Sequence, residues 1–192
     1  MERMLNDKDR QKMFNDTVGK FIYPEWMDWL IANGFFVKPA TIKHHGNYTG
    51  GLFDHSFEVM EDLVEMTEKF NIQWQEPRSP YIVGMFHDLT KVDDYIDANM
   101  IDAVMMGSGS PVSKNPNWTY NEDCILKGHG EKSVMLLSQF ITLTEEEILC
   151  IRFHMGAYKT EDWTGFGLAI RKYPSVLFTH TADMYASKVK NV

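Results

Sequence analysis

An adjacent histidine and aspartate lie inside the apolar run Pro80–Leu89. This run predicts a buried helix, so His87 and Asp88 would bring polar side chains into a buried environment. The side chains of neighbouring helical residues project about 100° apart, so the geometry disfavours an ion pair between His87 and Asp88. A divalent cation between the side chains could bind both, because imidazole and carboxylate are good metal ligands. Taken alone, however, the pair is more typical of a core histidine beside a helix-end carboxylate.

Other residues place this pair in a larger set of candidate ligands. His55 lies upstream, after the Gly50-Gly51 pair, and Asp183 lies far downstream in the last predicted helix. His129 stands between two glycines at a predicted helix start, and His154 stands at a predicted helix end. Each of these histidines alone is typical of a cap or a core residue. Together the candidates follow the order His55, His87, Asp88, His129, His154 and Asp183.

The hydrophobic pattern predicts an all-α fold with a single domain over residues 1–192. Its clearest helix runs from Leu52 to Phe70, where apolar residues recur at steps of three and four. Residues 97–121 lack this period and contain turn-forming residues, so we expect a loop or small hairpin there. The other predicted helices lie within 1–23, at 24–34, from Pro80 to about Asp88, at 128–140, from Thr144 to His154, and from Pro174 to about Lys190.

Composition narrows the class of protein and of partner. The 192 residues are 44% hydrophobic and 24% charged, as in an ordinary globular domain, and no apolar run is long enough for a membrane span. Cys124 and Cys150 are isolated from each other, which favours a reducing, cytoplasmic setting without disulfides. The net charge of −8 and the lack of a basic segment make long nucleic acid an unfavourable partner and favour a small ligand.

Several motifs resemble those of the HD-domain metal-dependent phosphohydrolase superfamily. The sequence His44-His45, followed by Gly50-Gly51 and His55, is similar to the HH…GGL.EH motif of HD domains, including that of a bacterial 3′–5′ exoribonuclease. The run His87–Lys91 is similar to the HDxGK signature, with Thr90 in place of the usual glycine. The resemblance covers about residues 44–188, so residues 1–43 would form an N-terminal helical extension. The GYP motif of cyclic-di-GMP phosphodiesterases is missing.

The resemblance implies a site for two divalent metal ions. One ion would take His55, His87, Asp88 and Asp183, and the other would take Asp88, His129 and His154, with the Asp88 carboxylate bridging the two. Such mixed ligation suits iron, manganese, cobalt or nickel better than magnesium, which prefers oxygen ligands. His180 lies three residues before Asp183 and is a competing ligand candidate.

The resemblance also implies residues that contact substrate. In HDxGK relatives the lysine of the motif contacts the substrate phosphate, so the resemblance predicts that Lys91 binds phosphate. The alternative is that Lys91 is a solvated lysine at a helix end. Arg152 precedes a candidate ligand and is a second substrate-binding candidate, unless it pairs with the acidic run Glu145–Glu147 on its own helix. His45 is a candidate for the entrance of the site.

We therefore expect an enzyme that hydrolyses a phosphate ester of a nucleotide or another small phosphorylated metabolite, with Asp88 and Lys91 in the catalytic machinery. Two alternatives stay open within the same superfamily: a mixed-valence diiron oxygenase of the myo-inositol oxygenase type, and a phosphodiesterase that acts on short nucleic-acid ends. A binding or regulatory module with a vestigial metal site is a third alternative.

Overall fold

The computed structural model describes residues 5–100, 116–126, 128–157 and 162–192, and it confirms a mostly helical single domain. The helices are α1 (Asp7–Thr17), α2 (Pro24–Ala32), α3 (Gly51–Phe70), α4 (Ser79–Phe86), α5 (Lys91–Asp94), α6 (His129–Leu137), α7 (Glu145–Arg152), α8 (Asp162–Lys172) and α9 (Ser175–Tyr185). Short 3₁₀ turns lie at Gly19–Phe21 and Ala98–Met100, and a π-helical turn, Ala186–Lys190, follows α9. None of the described helices is both long and apolar enough to cross a membrane.

A two-stranded antiparallel sheet joins the two ends of the predicted loop region. Strand β1 (Tyr95–Asp97) pairs with strand β2 (Trp118–Tyr120), so that Ile96 lies opposite Thr119. This pairing agrees with the predicted small hairpin around residues 97–121. Residues 101–115, which would form its tip, lie outside the described part of the chain.

Helix α3 has the amphipathic character that its sequence predicts, and α4 packs closely against it. The inner face of α3 buries Leu52, Val59 and Leu63 completely. The two helices meet at Gly84, where an added Cβ would lie only 2.4 Å from the Cα of Met60. A glycine at this position therefore sets the distance between the two helices that carry His55 and His87.

Helix α4 ends earlier than the sequence suggests. We expected it to carry both His87 and Asp88, but its last residue is Phe86, and His87 is the C-cap residue. The chain then turns through residues 87–90 before α5 begins. Thr90, which replaces the glycine of the HDxGK signature, has φ −50° and ψ −30°. These are ordinary right-handed values, so the turn does not require glycine.

Residues 5–43 contribute to the same hydrophobic core as the other described residues. The ring centroid of Phe86 lies 6.0 Å from that of Phe14 in α1 and 4.5 Å from that of Trp26 in α2. Both of these N-terminal side chains are almost completely buried. The helices before residue 44 thus pack directly on the helix that precedes the His87-Asp88 pair.

Local sequence rules succeed at one helix and fail at another. The capping box that Thr144 and Glu147 predict is present at the start of α7. By contrast, α8 is not predicted, because Gly165 and Gly167 disfavour a helix. Phe166 nevertheless packs against Phe153, with ring centroids 5.7 Å apart. Tertiary packing of this kind outweighs the weak helical propensity of the segment.

Two glycines provide a matched test of the packing between α3 and α4. We expect Gly84→Ala to destabilise the protein by about 1–3 kcal/mol, because its Cβ would overlap the Met60 backbone. Gly167→Ala is the control, since nothing lies within 4 Å of its added Cβ, and we expect about 0.5–1 kcal/mol of stabilisation. Urea unfolding followed by circular dichroism measures both. Equal stabilities of the two variants would contradict the close approach at Gly84.

Candidate metal centre

Five of the six predicted ligands come together in the interior of the domain. Helix α3 supplies one, the turn after α4 supplies two, the turn after α7 supplies one and α9 supplies the last. The three histidines are completely buried, and each of the two aspartates is 6% exposed. These residues are His55, His87, Asp88, His154 and Asp183.

The Nε2 atoms of the histidines converge on the two carboxylates. The Nε2 of His55 lies 3.2 Å from the Nε2 of His87 and 3.3 Å from Oδ1 of Asp183. The Nε2 of His154 lies 3.4 Å from Oδ1 of Asp88. The Nε2 of His87 lies 3.9 Å from both Oδ2 of Asp88 and Oδ1 of Asp183. The result is a compact group of acceptor atoms around a small volume.

Backbone contacts fix which ring nitrogen of each buried histidine carries the proton. A backbone oxygen can only accept, so each Nδ1 must donate. The Nε2 of a neutral ring then presents a lone pair towards its neighbours, and backbone oxygens orient metal-binding imidazoles in this way. The Nδ1 of His55 lies 3.0 Å from the backbone oxygen of Val192. The Nδ1 of His87 lies 2.8 Å from the oxygen of Gly84, and the Nδ1 of His154 lies 2.7 Å from the oxygen of Ile151.

Burial and charge favour neutral rings beside ionised carboxylates at most of these positions. Burial lowers the pKa of His87 to about 4. Burial raises the pKa of Asp183, but His55, His87 and His154 outweigh it and lower the pKa to about 2. The pKa of Asp88 is also held well below its usual value, despite burial, by Lys91 and His154. Neutral imidazole and ionised carboxylate are the forms that bind a divalent metal.

His154 differs from the other two buried histidines. Burial lowers its pKa, but the adjacent Asp88 carboxylate outweighs burial and raises it. Among the described residues, neither Oδ1 of Asp88 nor Nε2 of His154 has a hydrogen-bond partner. Two facing acceptors 3.4 Å apart repel each other unless a proton or a cation lies between them. This part of the cluster therefore requires a positive charge.

The ligand atoms form two overlapping groups that could each hold a metal ion. One group is His55, His87 and Asp183, and the other is His87, Asp88 and His154. His87 belongs to both, but an imidazole Nε2 has one lone pair and binds one ion. The Asp88 carboxylate has two oxygens, of which Oδ1 faces His154 and Oδ2 faces His87. If two ions bind, Asp88 is therefore the residue that can bridge them.

His129 lies at the edge of this cluster. It begins α6, its side chain is 44% exposed, and it belongs to neither group of converging ligand atoms among the described residues. Its Nδ1 lies 3.8 Å from Oδ2 of Asp94. Asp94 is itself held by Thr90 Oγ1 at 3.0 Å and Lys132 Nζ at 2.9 Å. The ligand role of His129 remains a prediction.

Lys91 is buried beside the cluster, and it is not the solvated lysine of the alternative interpretation. It is 7% exposed, and its Nζ donates to the hydroxyl of Tyr95 at 3.3 Å. Burial lowers the pKa of Lys91, but Asp88, Tyr95 and Asp94 together outweigh burial and raise it above the ordinary value. These neighbours therefore favour the charged ammonium form of Lys91 at the edge of the cluster.

The two other predicted substrate contacts have different surroundings. The ring of His45 packs against that of His55, with centroids 4.9 Å apart, and burial lowers its pKa to about 4. Arg152 is half-exposed and pairs with Glu131 at 3.3 Å and Asp162 at 4.0 Å. Its acidic partners therefore lie on neighbouring helices and are not the predicted residues 145–147 of its own helix.

Two contacts around the cluster have no clear signal in the sequence. The backbone oxygen of Val192 orients His55 although 137 positions separate them. His180 is not part of either ligand group; its Nδ1 donates to the backbone oxygen of His154 at 2.7 Å. Its helical spacing from Asp183 makes it a plausible competitor by sequence, but the fold directs the ring to a backbone acceptor instead.

Comparisons with known proteins add no family assignment. No protein-family model matches the chain, no curated protein matches its sequence and no solved structure matches its fold. The chemistry of the site therefore has to be argued from its own residues. Those residues support a buried histidine–aspartate centre that could hold metal ions.

Metal stoichiometry in ligand variants tests this centre. We expect His154→Ala to lose one ion and keep the other, because the group around His55 and Asp183 is intact. Asp88→Ala should lose the second ion and weaken the first, since its two oxygens face both groups. Glu68→Ala is the control, because this exposed carboxylate of α3 belongs to neither ligand group among the described residues. Elemental analysis and competition with a chelator measure the content and affinity.

If the remaining ion bound equally tightly in the Asp88 and His154 variants, the bridging geometry would be contradicted. Wild-type protein that takes up no Mn²⁺, Co²⁺ or Fe²⁺ would contradict the metal centre itself.

Proposed function

We propose that this protein is a metal-dependent hydrolase of phosphate esters, with a histidine–aspartate centre of the HD type. The observation that carries the proposal is the convergence of three imidazole Nε2 atoms, each oriented by a carbonyl at Nδ1, on two buried carboxylates. This donor set leaves coordination positions for water and substrate, as catalytic sites do. The chain order of these ligands also resembles the HD superfamily.

The chain's own residues would bind and orient the metal ions and the substrate. Divalent ions held here would lower the pKa of a bound water and offset negative charge on a phosphoryl group. Asp88 directs one oxygen towards His154 and the other towards His87, so it would contribute to binding both ions. His154 beside Asp88 and Asp183 beside His55 would complete the two groups.

Lys91 is the residue that favours a phosphorylated substrate. Its buried ammonium beside Asp88 is a fixed positive charge in a low-dielectric environment. Such a charge stabilises negative charge that develops on a phosphoryl oxygen more strongly than an exposed lysine would. The hydroxyl of Tyr95 accepts a hydrogen bond from Nζ and thereby limits its position.

The remaining candidates and the overall charge favour a small substrate. His45 lies against His55 and would border the space in front of the first ligand group. Arg152 is half-exposed and already paired with Glu131, so a substrate phosphate would have to compete for it. With a net charge of −8, the chain is poorly suited to a long polyanion. A nucleotide or another small phosphate ester fits these features best.

Metal exchange under controlled oxygen tests the reaction class. Protein stripped with a chelator and reloaded with Mn²⁺ or Co²⁺ should release phosphate under strict anaerobiosis, because hydrolysis needs water and Lewis acidity but no oxidant. Nucleoside monophosphates, p-nitrophenyl phosphate and bis-p-nitrophenyl phosphate serve as substrates. Asp88→Ala is the inactive control.

The same ligand set would also suit a diiron oxygenase, which gives a different result. Oxygen uptake with iron alone, and no phosphate release with any metal, would overturn the hydrolase proposal. Hydrolysis of the diester substrate alone would indicate a phosphodiesterase that acts on short nucleic-acid ends.

A substitution at Lys91 tests its place at the phosphate. We expect Lys91→Met to lower kcat for a phosphate ester by about 100-fold, because the ammonium group would stabilise negative charge on the phosphoryl group. Metal content should stay at the wild-type level, because Nζ is not a metal ligand. Lys172→Met is the matched control, since that lysine pairs with Glu145 on the surface. Loss of metal from the Lys91 variant, or unchanged kinetics, would contradict a role in substrate binding.

A further inference from the structure

The three buried histidine rings are oriented by backbone oxygens, two of which are near in the sequence and one of which is distant. The rings of His87 and His154 each bond to the carbonyl three residues earlier, at Gly84 and Ile151. These bonds form whenever the local helical turn forms. The Nδ1 of His55 instead bonds to the backbone oxygen of Val192, 137 positions away. Its orientation therefore depends on where the segment Ala186–Val192 docks.

This segment is fixed to the helix that carries His55. Lys190 Nζ binds Oδ1 of Asp62 at 2.6 Å and also pairs with Glu58, and both carboxylates belong to α3. Asp62 is 5% exposed, so the pair is more strongly held than an ordinary surface ion pair. Burial lowers the pKa of Lys190, but Asp62 and Glu58 outweigh burial and raise it above the ordinary value.

A left-handed residue then directs Val192 towards His55. Asn191 has φ 60° and ψ 36°, a conformation that asparagine and glycine tolerate better than other residues. The turn is closed by the Val192 N–H, which donates to the oxygen of Ala186 at 3.2 Å. The backbone oxygen of Val192 is thereby placed 3.0 Å from Nδ1 of His55.

We infer that the segment Ala186–Val192 is a positioning element for the metal centre. Its backbone oxygen at Val192 holds His55 in the tautomer whose Nε2 lone pair faces His87 and Asp183. Without that acceptor, His55 loses its partner at Nδ1 and can transfer the proton to Nε2, which faces the Asp183 carboxylate at 3.3 Å. A protonated Nε2 cannot bind a metal. The effect on metal affinity rests on the proposed metal centre, whereas the tautomer does not.

The experiment begins with two substitutions at Asn191 that allow different backbone conformations. Asn191→Gly keeps the left-handed conformation accessible, whereas Asn191→Pro fixes φ near −65° and removes the turn. Lys190→Met releases the ion pairs with α3 and is a second variant for the same segment. Lys172→Met, on a different surface pair, is the control for the loss of one lysine.

Long-range ¹H–¹⁵N spectra of the metal-free full chain report the tautomer of His55. We expect the Nδ1–H form in the wild type, in Asn191→Gly and in Lys172→Met, and an increased Nε2–H population in Asn191→Pro and Lys190→Met. The dissociation constant for Mn²⁺ or Co²⁺ should rise by about 10- to 100-fold in the latter two variants, as for other losses of an outer-shell partner.

Each outcome bears on one inference. The Nδ1–H form in Asn191→Pro, an equal change in the glycine and proline variants, or a changed tautomer with unchanged metal affinity would overturn the positioning role. A wild type in the Nδ1–H form that binds no metal would instead overturn the proposed function, while the tautomer shift in Asn191→Pro would still support the positioning of His55.

Discussion

The surroundings of the buried cluster follow from one constraint: acceptor atoms crowded in a low-dielectric interior need positive charge. The Nε2 atoms of His55 and His87 are 3.2 Å apart, and both rings are tied to carbonyls through Nδ1. Oδ1 of Asp88 faces Nε2 of His154 with no hydrogen-bond donor between them among the described residues. A proton at His154, the ammonium of Lys91 and divalent cations are the charges that can relieve this repulsion.

The scaffold around the cluster brings distant parts of the chain to one point. Gly84 allows α4 to approach α3 closely, so that His87 reaches His55. Gly130 does the same between α6 and the end of α7, because an added Cβ would lie 2.3 Å from the Arg152 oxygen. The segment after α9 closes the site from the other side through Val192. Close helix contacts, and not long polar side chains, bring the ligand atoms within reach of one another.

The edge of the cluster is where the proposed chemistry would meet substrate. His129 is exposed beside Asp94, on the side of the site that also holds Lys91. Asp94 would orient an imidazole there as carboxylates do in other metal sites. The five buried candidate residues are thus brought together, whereas His129, the sixth candidate, lies close to solvent.

The sequence by itself determined the helical class and the main helix around His55, because the hydrophobic period is a local property. Through its resemblance to HD domains, the sequence also singled out the five residues that lie together in the buried cluster. It did not determine the end of α4 before His87 or the presence of α8, where packing outweighs weak propensity. Only the tertiary structure decided which oxygen orients His55, because the two residues are 137 positions apart in the sequence. Its role comes from the docking of Val192, far along the chain, against α3.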